Sequence, residues 1–122
     1  MQLLFDESDE FGVHEGLHLI PGRVEAFPKD IDLLVPQMGW NQNVVNNEQS
    51  IFADVLDGSY TYFVHSYYAK CDQQYVVSYT NYGVKVPSCV EFRNVYGMQF
   101  HPEKSGEKGL EMLERFIERV DE

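Results

Sequence analysis

The sequence is poor in positive charge, in cysteine and in long apolar runs, and each shortage excludes a class of protein. Only 9 Lys and Arg stand against 20 Asp and Glu, a net charge of −11, so binding to nucleic acid or to an anionic membrane surface is not expected. The two cysteines, Cys71 and Cys89, are too few for a disulfide framework and match no zinc-binding spacing. No apolar run approaches the ~20 residues that span a bilayer, and the first residues lack the basic region and cleavage site of a signal peptide. We therefore expect a cytoplasmic protein with reduced thiols.

The chain nevertheless has the composition of a folded domain, because 43% of its 122 residues are apolar and it contains eight Phe and eight Tyr. Aromatic and β-branched residues are concentrated in four segments that predict the strands of an antiparallel meander. These segments are 60–66, 75–80, 88–93 and 96–100. The stretch 33–40 contains Pro36 and predicts at most an edge strand or the start of a loop, and the Asn-rich stretch 41–50 predicts a loop.

The two ends of the chain both have helical character. Residues 2–5 have the composition of a helix interior but no capping residue precedes them, so the chain is expected to begin inside an element. Near the other end, apolar residues recur at helical spacing and form one stripe, which is typical of a helix packed on a core. The stripe consists of Leu110, Leu113, Phe116, Ile117 and Val120.

Histidines are the first candidates for chemistry. His14 and His18 have the i, i+4 spacing of a metal-binding pair, but the surrounding Gly and Pro argue against a helix, so they are interpreted as loop residues. His65 ends a predicted strand, where packing is the simpler interpretation. His101 and Glu103 lie two residues apart, and on extended backbone two such side chains point the same way. A carboxylate in that position can orient the imidazole as a general base, and the alternative is an incidental ion pair at the end of a strand.

Longer motifs extend this observation. The string Gly97–Ser105, GMQFHPEKS, resembles the C-terminal signature of the class I glutamine amidotransferases. The strings PQMGWN (36–41), YFVHSY (62–67) and LIPGRV (19–24) resemble motifs of one branch of that family, the glutaminase subunits of imidazole glycerol phosphate synthases, which belong to histidine biosynthesis. The resemblance covers essentially all 122 residues. It implies an α/β fold, the C-terminal part of the three-layer amidotransferase fold, here mostly β-strands with a C-terminal helix.

The resemblance also implies roles for single residues. The family uses a Cys-His-Glu triad, so His101 is expected to be the base and Glu103 the residue that orients it. Five residues correspond to positions that hold the glutamine substrate, and Glu10 among them would meet its ammonium group. These five are Gln2, Glu10, His65, Ser66 and Tyr67. No metal and no organic cofactor is implied.

A partner is implied as well, a cyclase subunit with a (β/α)8 barrel that receives the ammonia. The residues expected at its docking surface are Met38, Gly39, Trp40, Asn41, Tyr62 and Lys104. An aromatic residue beside another aromatic and a cation has the composition of an interface hot spot, although sequence alone leaves open whether Trp40 is core instead. Gln37 departs from the family pattern, which usually has His there.

The resemblance finally predicts where the nucleophile stands. Family members carry it in a Gly-x-Cys-Leu-Gly-Met-Gln elbow. Met1–Phe5 resembles the segment on the C-terminal side of that cysteine, which would lie three residues before Met1. Residues 1–122 are therefore expected to be a partial amidotransferase domain without the N-terminal half and its elbow, and neither Cys71 nor Cys89 has an elbow pattern around it. From this we expect no glutaminase activity from the chain alone, and marginal stability or association.

Three alternatives stay open. The chain could be a fragment of another class I amidotransferase, which the string MGWN (38–41) disfavours. It could be a non-catalytic binding protein that keeps the docking surface. It could also be one piece of an enzyme whose N-terminal half is a separate chain.

Overall fold

The computed structural model describes residues 1–10, 12–31 and 33–120, except for the side chain of Val120. Within these residues the chain forms ten strands, two α-helices and three short 3-10 helices. The strands are Glu7–Ser8 (β1), His14–Glu15 (β2), Arg23–Ala26 (β3), Gln37–Gln42 (β4), Val44–Val45 (β5), Tyr60–His65 (β6), Tyr67–Lys70 (β7), Val76–Asn81 (β8), Lys85–Phe92 (β9) and Val95–Met98 (β10). The α-helices are Ala53–Leu56 (α1) and Gly106–Val120 (α2), and the 3-10 helices are Gln2–Leu4, Gln73–Tyr75 and Pro102–Lys104. The mixed α/β class, with mostly strands and a C-terminal helix, confirms the predicted fold class.

The predicted meander is correct for three of its four strands. Strands β8, β9 and β10 are successive antiparallel neighbours, with β5 on the far side of β8. The prediction was wrong for β6, which pairs antiparallel with β4 in a separate two-stranded ladder. It was also wrong for the stretch 41–50, because β4 extends to Gln42 and β5 follows. The pairing of β6 was mispredicted because the next strand, β7, begins directly after Ser66 and pairs with β3 in another sheet. Strands that follow one another along the chain are therefore not neighbours in the sheet at this point.

The third sheet is built from the residues that the sequence described only as short extended pieces. Its order is β2-β1-β3-β7, with β1 and β3 parallel and the other two pairs antiparallel. Arg23 on β3 bonds to the carboxylates of Glu7 and Asp9, on and just after β1. The hydrogen bond that Arg23 donates to Asp9, and then the negative charges of Asp9, Glu7 and Glu25, raise the pKa of Arg23 above its usual value. These contacts link the first ten residues to the rest of the fold.

The main core lies between the β8-β9-β10 meander, the β4-β6 ladder and the helices. Its buried residues are Phe52, Val55, Leu56, Phe63, Val77, Cys89, Phe100 and Met112. Phe63 on β6 and Phe100, just after β10, meet edge to face with ring centroids 6.0 Å apart. This contact fixes the end of β10 against β6, and the residue that follows it is His101.

Helix α2 is where predicted, but the predicted stripe is not its buried face. Four members of the stripe are between 39% and 60% exposed, and the fifth, Val120, lies outside the described side chains. The four are Leu110, Leu113, Phe116 and Ile117. The helix instead buries Met112 completely and turns Gly109 toward the Pro102–Lys104 turn.

Helix α2 is rotated about its axis relative to the orientation that the apolar stripe predicts, and one cause is steric and lies in its first turns. A Cβ atom at Gly109 would stand 1.9 Å from the carbonyl oxygen of Pro102, so only glycine allows this approach. Further along the helix, Arg115 donates to both carboxylate oxygens of Asp54 on α1, at 2.6 and 2.8 Å. The hydrogen bonds from Arg115 lower the pKa of Asp54 to about 2. A close approach and an ion pair thus orient the helix, and hydrophobic periodicity carries no information on either.

Candidate active site

His101 and Glu103 are in contact, as the sequence predicted, but the backbone between them is not extended. Imidazole Nδ1 lies 3.0 Å from carboxylate Oε1, across the start of the 3-10 helix Pro102–Lys104. Pro102 favours that turn, because its fixed φ and missing N–H suit the first position of a helix. The geometric argument from i and i+2 side chains on a strand was therefore wrong, although the contact that it predicted is present.

The electrostatics of the pair define which nitrogen of His101 holds the proton. A main-chain hydrogen bond in its own turn, and then the contact with His101, lower the pKa of Glu103 below its usual value. Glu103 is therefore a carboxylate that can only accept, so the imidazole donates from Nδ1. Nε2 is left as the basic nitrogen, on a side chain that is 39% exposed. This is the arrangement of a general base and the group that orients it.

A pocket of about 740 Å³ opens beside His101. It is lined by Gln2, Glu10, His65, Ser66 and Tyr67, the five residues predicted to hold a substrate, together with His101 itself. Four separate parts of the chain therefore meet at one site: the N-terminal turn, the segment after β1, the β6-β7 junction and the segment at the end of β10. Glu103 does not line the pocket, and it contacts His101 through Nδ1. The structure brings the predicted residues together, while their individual roles stay predictions.

Gln2 is held by a residue to which sequence analysis gave no role. Its Nε2 donates to the carbonyl oxygen of Tyr67 at 2.8 Å and to Oε1 of Gln99, also at 2.8 Å. Because both amide hydrogens are used, Oε1 of Gln2 is the atom that a ligand could address. Gln99 lies two residues before His101 in the motif, and that position was the signal available in the sequence. Close packing helps, since a Cβ at Gly97 would stand 2.7 Å from Cδ1 of Leu4 in the N-terminal turn.

His65 combines packing with a polar role. Its ring lies 5.6 Å from that of Phe27 and 5.8 Å from that of Phe63, measured between centroids, which agrees with the packing interpretation. Its Nδ1 lies 2.7 Å from the carbonyl oxygen of Tyr67 and must donate to it. Burial lowers the pKa of His65 below its usual value, so the neutral ring is favoured. Nε2 has no hydrogen-bond partner among the described residues. One carbonyl, that of Tyr67, therefore orders both His65 and Gln2.

Glu10 gives the pocket an acidic side chain. It follows β1, and its main-chain N–H donates to the hydroxyl of Ser8 at 3.2 Å. A carboxylate on the wall of a pocket can bind an ammonium group. Together with the amides of Gln2 and Gln99, it gives the pocket wall a negative charge and neighbouring polar groups.

Neither cysteine is placed to act as a nucleophile here. Neither of them lines the pocket. Cys89 is fully buried in the main core, and burial raises the pKa of its thiol. Cys71 is half-buried just after β7, where burial followed by the charge of Asp72 raises its pKa to about 11. The reactive form of a cysteine is the thiolate, which both environments disfavour.

Five of the six residues predicted to dock a partner divide between the two faces of the β4-β6 ladder, and the sixth, Lys104, lies in the turn after His101. Met38 and Trp40 on β4 are 62% and 53% exposed, and Trp40 is the direct neighbour of Tyr62 on β6. Their rings meet edge to face with centroids 6.0 Å apart. We call Met38, Trp40 and Tyr62 the outer face. Trp40 is thus a surface residue, which resolves the alternative left open by the sequence.

Gly39 and Asn41 alternate with these residues and lie on the opposite, inner face of the ladder. Gln37 is on that inner face too and is completely buried. Its Nε2 donates to Oδ1 of Asn41 at 3.1 Å, and its Oε1 has no partner among the described residues. Lys104 is exposed in the turn that carries Glu103. Gln37, which stands where the family pattern usually has His, therefore takes part in buried packing beneath the ladder and not in its exposed surface.

The remaining histidines do not line this pocket. His14 is on β2, and Nδ1 of His18 lies 3.1 Å from Oδ1 of Asp6. In the described ranges, no group of three or more His, Cys, Asp or Glu is arranged to hold a metal ion. Over the same ranges, no helix has the length and apolar character needed to cross a membrane.

A family model and curated relatives both match this chain, and they point to the same family. The family model for glutamine amidotransferase class-I matches residues 1–120. The imidazole glycerol phosphate synthase subunit HisH of Lactiplantibacillus plantarum is 56% identical over 120 residues, which cover 98% of this chain and 57% of that protein. The proteins of the same name from Listeria monocytogenes and Archaeoglobus fulgidus are 48% and 50% identical, over 97% and 98% of this chain. The chain spans 56% and 60% of the length of those two relatives.

Proposed function

The chain belongs to the class-I glutamine amidotransferase family, and on this basis we propose that it acts in the glutaminase subunit of an imidazole glycerol phosphate synthase. Its part would be to supply the base, the orienting carboxylate and much of the glutamine pocket. The observation that carries the proposal is the convergence of Gln2, Glu10 and the β6-β7 junction on one pocket beside the His101–Glu103 pair. The identities of 48% to 56% with relatives named as subunits of that synthase support the choice within the family.

The proposed reaction is the one that the family resemblance implies, with His101 and Glu103 in these roles. A cysteine thiolate attacks the side-chain amide carbon of glutamine, and His101, protonated at Nε2, gives that proton to the leaving ammonia. Water then attacks the thioester while Nε2 accepts a proton from it, which releases glutamate. Throughout, Glu103 accepts from Nδ1 and stabilises the imidazolium. Because neither Cys71 nor Cys89 lines the pocket, we assign the nucleophile to a cysteine outside residues 1–122, and the greater length of the relatives is compatible with that.

The outer face is our proposed docking surface for the cyclase subunit with the (β/α)8 barrel. Met38 and Trp40 are exposed aromatic or flexible apolar side chains, which is the composition of an interface core. Lys104 is exposed in the turn beside the site and would add a cation at the edge of this surface. The assembly would be a cytoplasmic heterodimer with combined hydrolase and lyase activity, and glutamine would be its substrate on this subunit. Nucleic acid and membrane have no part in the proposal.

The test needs the chain with and without a nucleophile. Glutamate release by the 122-residue chain alone is expected to equal that of its His101→Ala variant. Fusing the chain to the preceding segment of the L. plantarum relative, which we expect to contain the cysteine elbow, should produce glutaminase activity in the presence of a cyclase subunit. In that fusion, His101→Ala should lower kcat by a factor of about 10² to 10⁴, and Glu103→Gln should lower it by less.

His18→Ala is the matched control, because His18 also pairs with a carboxylate but lies outside the pocket. Activity of the fusion that survives His101→Ala would refute the assignment of the base. Activity of the unfused chain above the His101→Ala background would refute the assignment of the nucleophile. Mixing the chain with the separate N-terminal segment tests whether two pieces can assemble without fusion.

A non-catalytic binding protein is the second candidate, favoured by the position of both cysteines outside the pocket and by the exposed outer face. It predicts that the chain binds a cyclase subunit and that Trp40→Ala weakens this binding, while a folded fusion shows no activity. Selective activation by a different synthase partner would instead favour another class I amidotransferase.

A further inference from the structure

Ser105 has a position that neither the motif nor the proposed chemistry explains. It lies between the Pro102–Lys104 turn and helix α2, and only 2% of it is exposed. A buried hydroxyl is usually fully hydrogen-bonded, and the partners of this one are not in its own helix. They are the main-chain groups of two residues from different parts of the fold.

The hydroxyl of Ser105 joins strand β6 to the segment of His101. Its Oγ accepts a hydrogen bond from the main-chain N–H of Tyr62 at 3.0 Å and donates one to the carbonyl oxygen of His101 at 2.6 Å. A third bond closes the arrangement, because the N–H of His101 donates to the carbonyl oxygen of Tyr62 at 3.0 Å. Both main-chain polar groups of Tyr62 are therefore bound by this segment, and we call the three bonds the Ser105 clamp.

The clamp sits where it can set the position of the imidazole. His101 immediately precedes the 3-10 helix, and its side chain contacts Glu103 within the same turn. The turn is exposed at Glu103 and Lys104, while the carbonyl of Pro102 packs against Gly109 of α2. The main-chain bonds to β6 are a further restraint on where Nδ1 and Nε2 lie. The strand that provides them also carries Tyr62, whose ring meets Trp40 on the outer face.

We propose that Ser105 is a positioning residue for His101, and that its hydroxyl fixes the imidazole–Glu103 pair relative to strand β6. The catalytic meaning of this inference depends on the proposed function, whereas the positioning itself does not. Without the hydroxyl, the N–H of Tyr62 loses its acceptor and one bond to the carbonyl of His101 is lost. The bond from the N–H of His101 to the carbonyl of Tyr62 then holds the turn to β6 alone. The start of the turn, across which Nδ1 meets Glu103, can therefore move, and that contact is weakened.

The first test reads the ring of His101 in the 122-residue chain by ¹⁵N NMR, at a pH where the imidazole is neutral. In the unmodified chain the Nδ1–H tautomer should dominate, because Glu103 accepts from Nδ1. Ser105→Ala should shift both ring nitrogens toward the averaged values of a mixture of tautomers. Ser59→Ala is the matched control, since Ser59 is also buried and its hydroxyl donates to a main-chain carbonyl, that of Leu56, at 2.8 Å.

The comparison separates positioning from ordinary stabilisation. Both alanine variants should lower the midpoint of urea unfolding, but only Ser105→Ala should change the His101 ring. Ser105→Cys has nearly the same size with a much weaker donor and acceptor, so it should give an intermediate tautomer mixture even if the alanine variant does not fold. Unchanged His101 ring shifts in a folded Ser105→Ala or Ser105→Cys chain would overturn the proposal.

The second test uses the fusion of this chain with the N-terminal segment of the L. plantarum relative. There Ser105→Ala should lower kcat about tenfold or more with a smaller change in KM, because a misplaced base reacts slowly with a normally bound substrate, and Ser59→Ala should leave both near the parent values. A Ser105→Ala fusion with unchanged kcat would overturn the catalytic part of the inference. An inactive parent fusion would instead refute the proposed function, and the NMR comparison would still decide whether Ser105 positions His101.

Discussion

The rotation of helix α2 can be tested by one pair of neighbouring substitutions. Hydrophobic periodicity places Leu113 in the buried stripe and leaves Met112 outside it, whereas the structure buries Met112 completely and leaves Leu113 40% exposed. Replacing each by alanine removes a side chain of similar size from the same helical turn. The two changes in helix propensity are nearly equal, so the difference between the variants reports burial.

The magnitude depends on the contacts that are lost. Met112→Ala removes three heavy atoms from the main core, where Phe52, Phe63 and Phe100 are also fully or almost fully buried, and leaves a cavity, at a cost of about 2–4 kcal/mol in the free energy of unfolding. Leu113→Ala removes a side chain that is already partly in water and leaves no enclosed cavity, at a cost of about 1 kcal/mol.

Equilibrium unfolding in urea, followed by circular dichroism, measures both variants against the parent chain. The structure predicts a lower midpoint for Met112→Ala, with a difference of about 2 kcal/mol between the two variants at equal m-values. Equal losses, or a larger loss for Leu113→Ala, would show that the helix lies with the periodic stripe against the core and would refute our description of its orientation.

Three further predictions concern the surroundings of the site. Gly109→Ala should lower the free energy of unfolding by about 1–3 kcal/mol in spite of its better helix propensity, because the new Cβ meets the carbonyl of Pro102. An unchanged or higher urea midpoint would contradict the close approach. The pKa of His65 is lowered from 6.5 by burial, so the unfolded chain takes up the proton first and stability should fall as the pH drops below about 6.5. His65→Gln should reduce the dependence of the free energy of unfolding on pH in this range. The same dependence in the variant and the parent chain would show that His65 does not cause it. Neither Cys71, with a pKa of about 11, nor the buried Cys89 should react with a thiol reagent at pH 8 until urea is added, and rapid labelling of the native chain would show that a thiol is accessible.

The parts of the structure that could be predicted from sequence are those fixed by neighbouring residues. Strands β8, β9 and β10 follow from short β-branched and aromatic runs joined by tight turns, and their pairing is antiparallel for the same reason. The contact between His101 and Glu103 is equally local, since the two residues are only two positions apart. Even there the backbone conformation was wrong, because Pro102 begins a 3-10 turn rather than continuing the strand.

The parts that could not be predicted depend on contacts between distant residues. The pairing of β4 with β6 joins segments that are well separated along the chain, and nothing in either segment names its partner. The orientation of α2 depends on Gly109 meeting Pro102 and on Arg115 meeting Asp54. The pocket needed the family resemblance, because Gln2 and Glu10 have no local pattern that connects them with His101.

The β4-β6 ladder contributes to both the pocket and the proposed docking surface, which lie on its two faces. Along β6, Thr61, Phe63 and His65 point inward to the core and the pocket, while Tyr62 points outward to meet Trp40. Because side chains alternate with a period of two, a slip of one residue in the register would exchange these faces and disrupt the pocket and the outer face together. The clamp from Ser105 to Tyr62 holds β6 on the edge that β4 does not cover. The bonds that position His101 therefore also help to keep β6 in the register that places Tyr62 on the outer face.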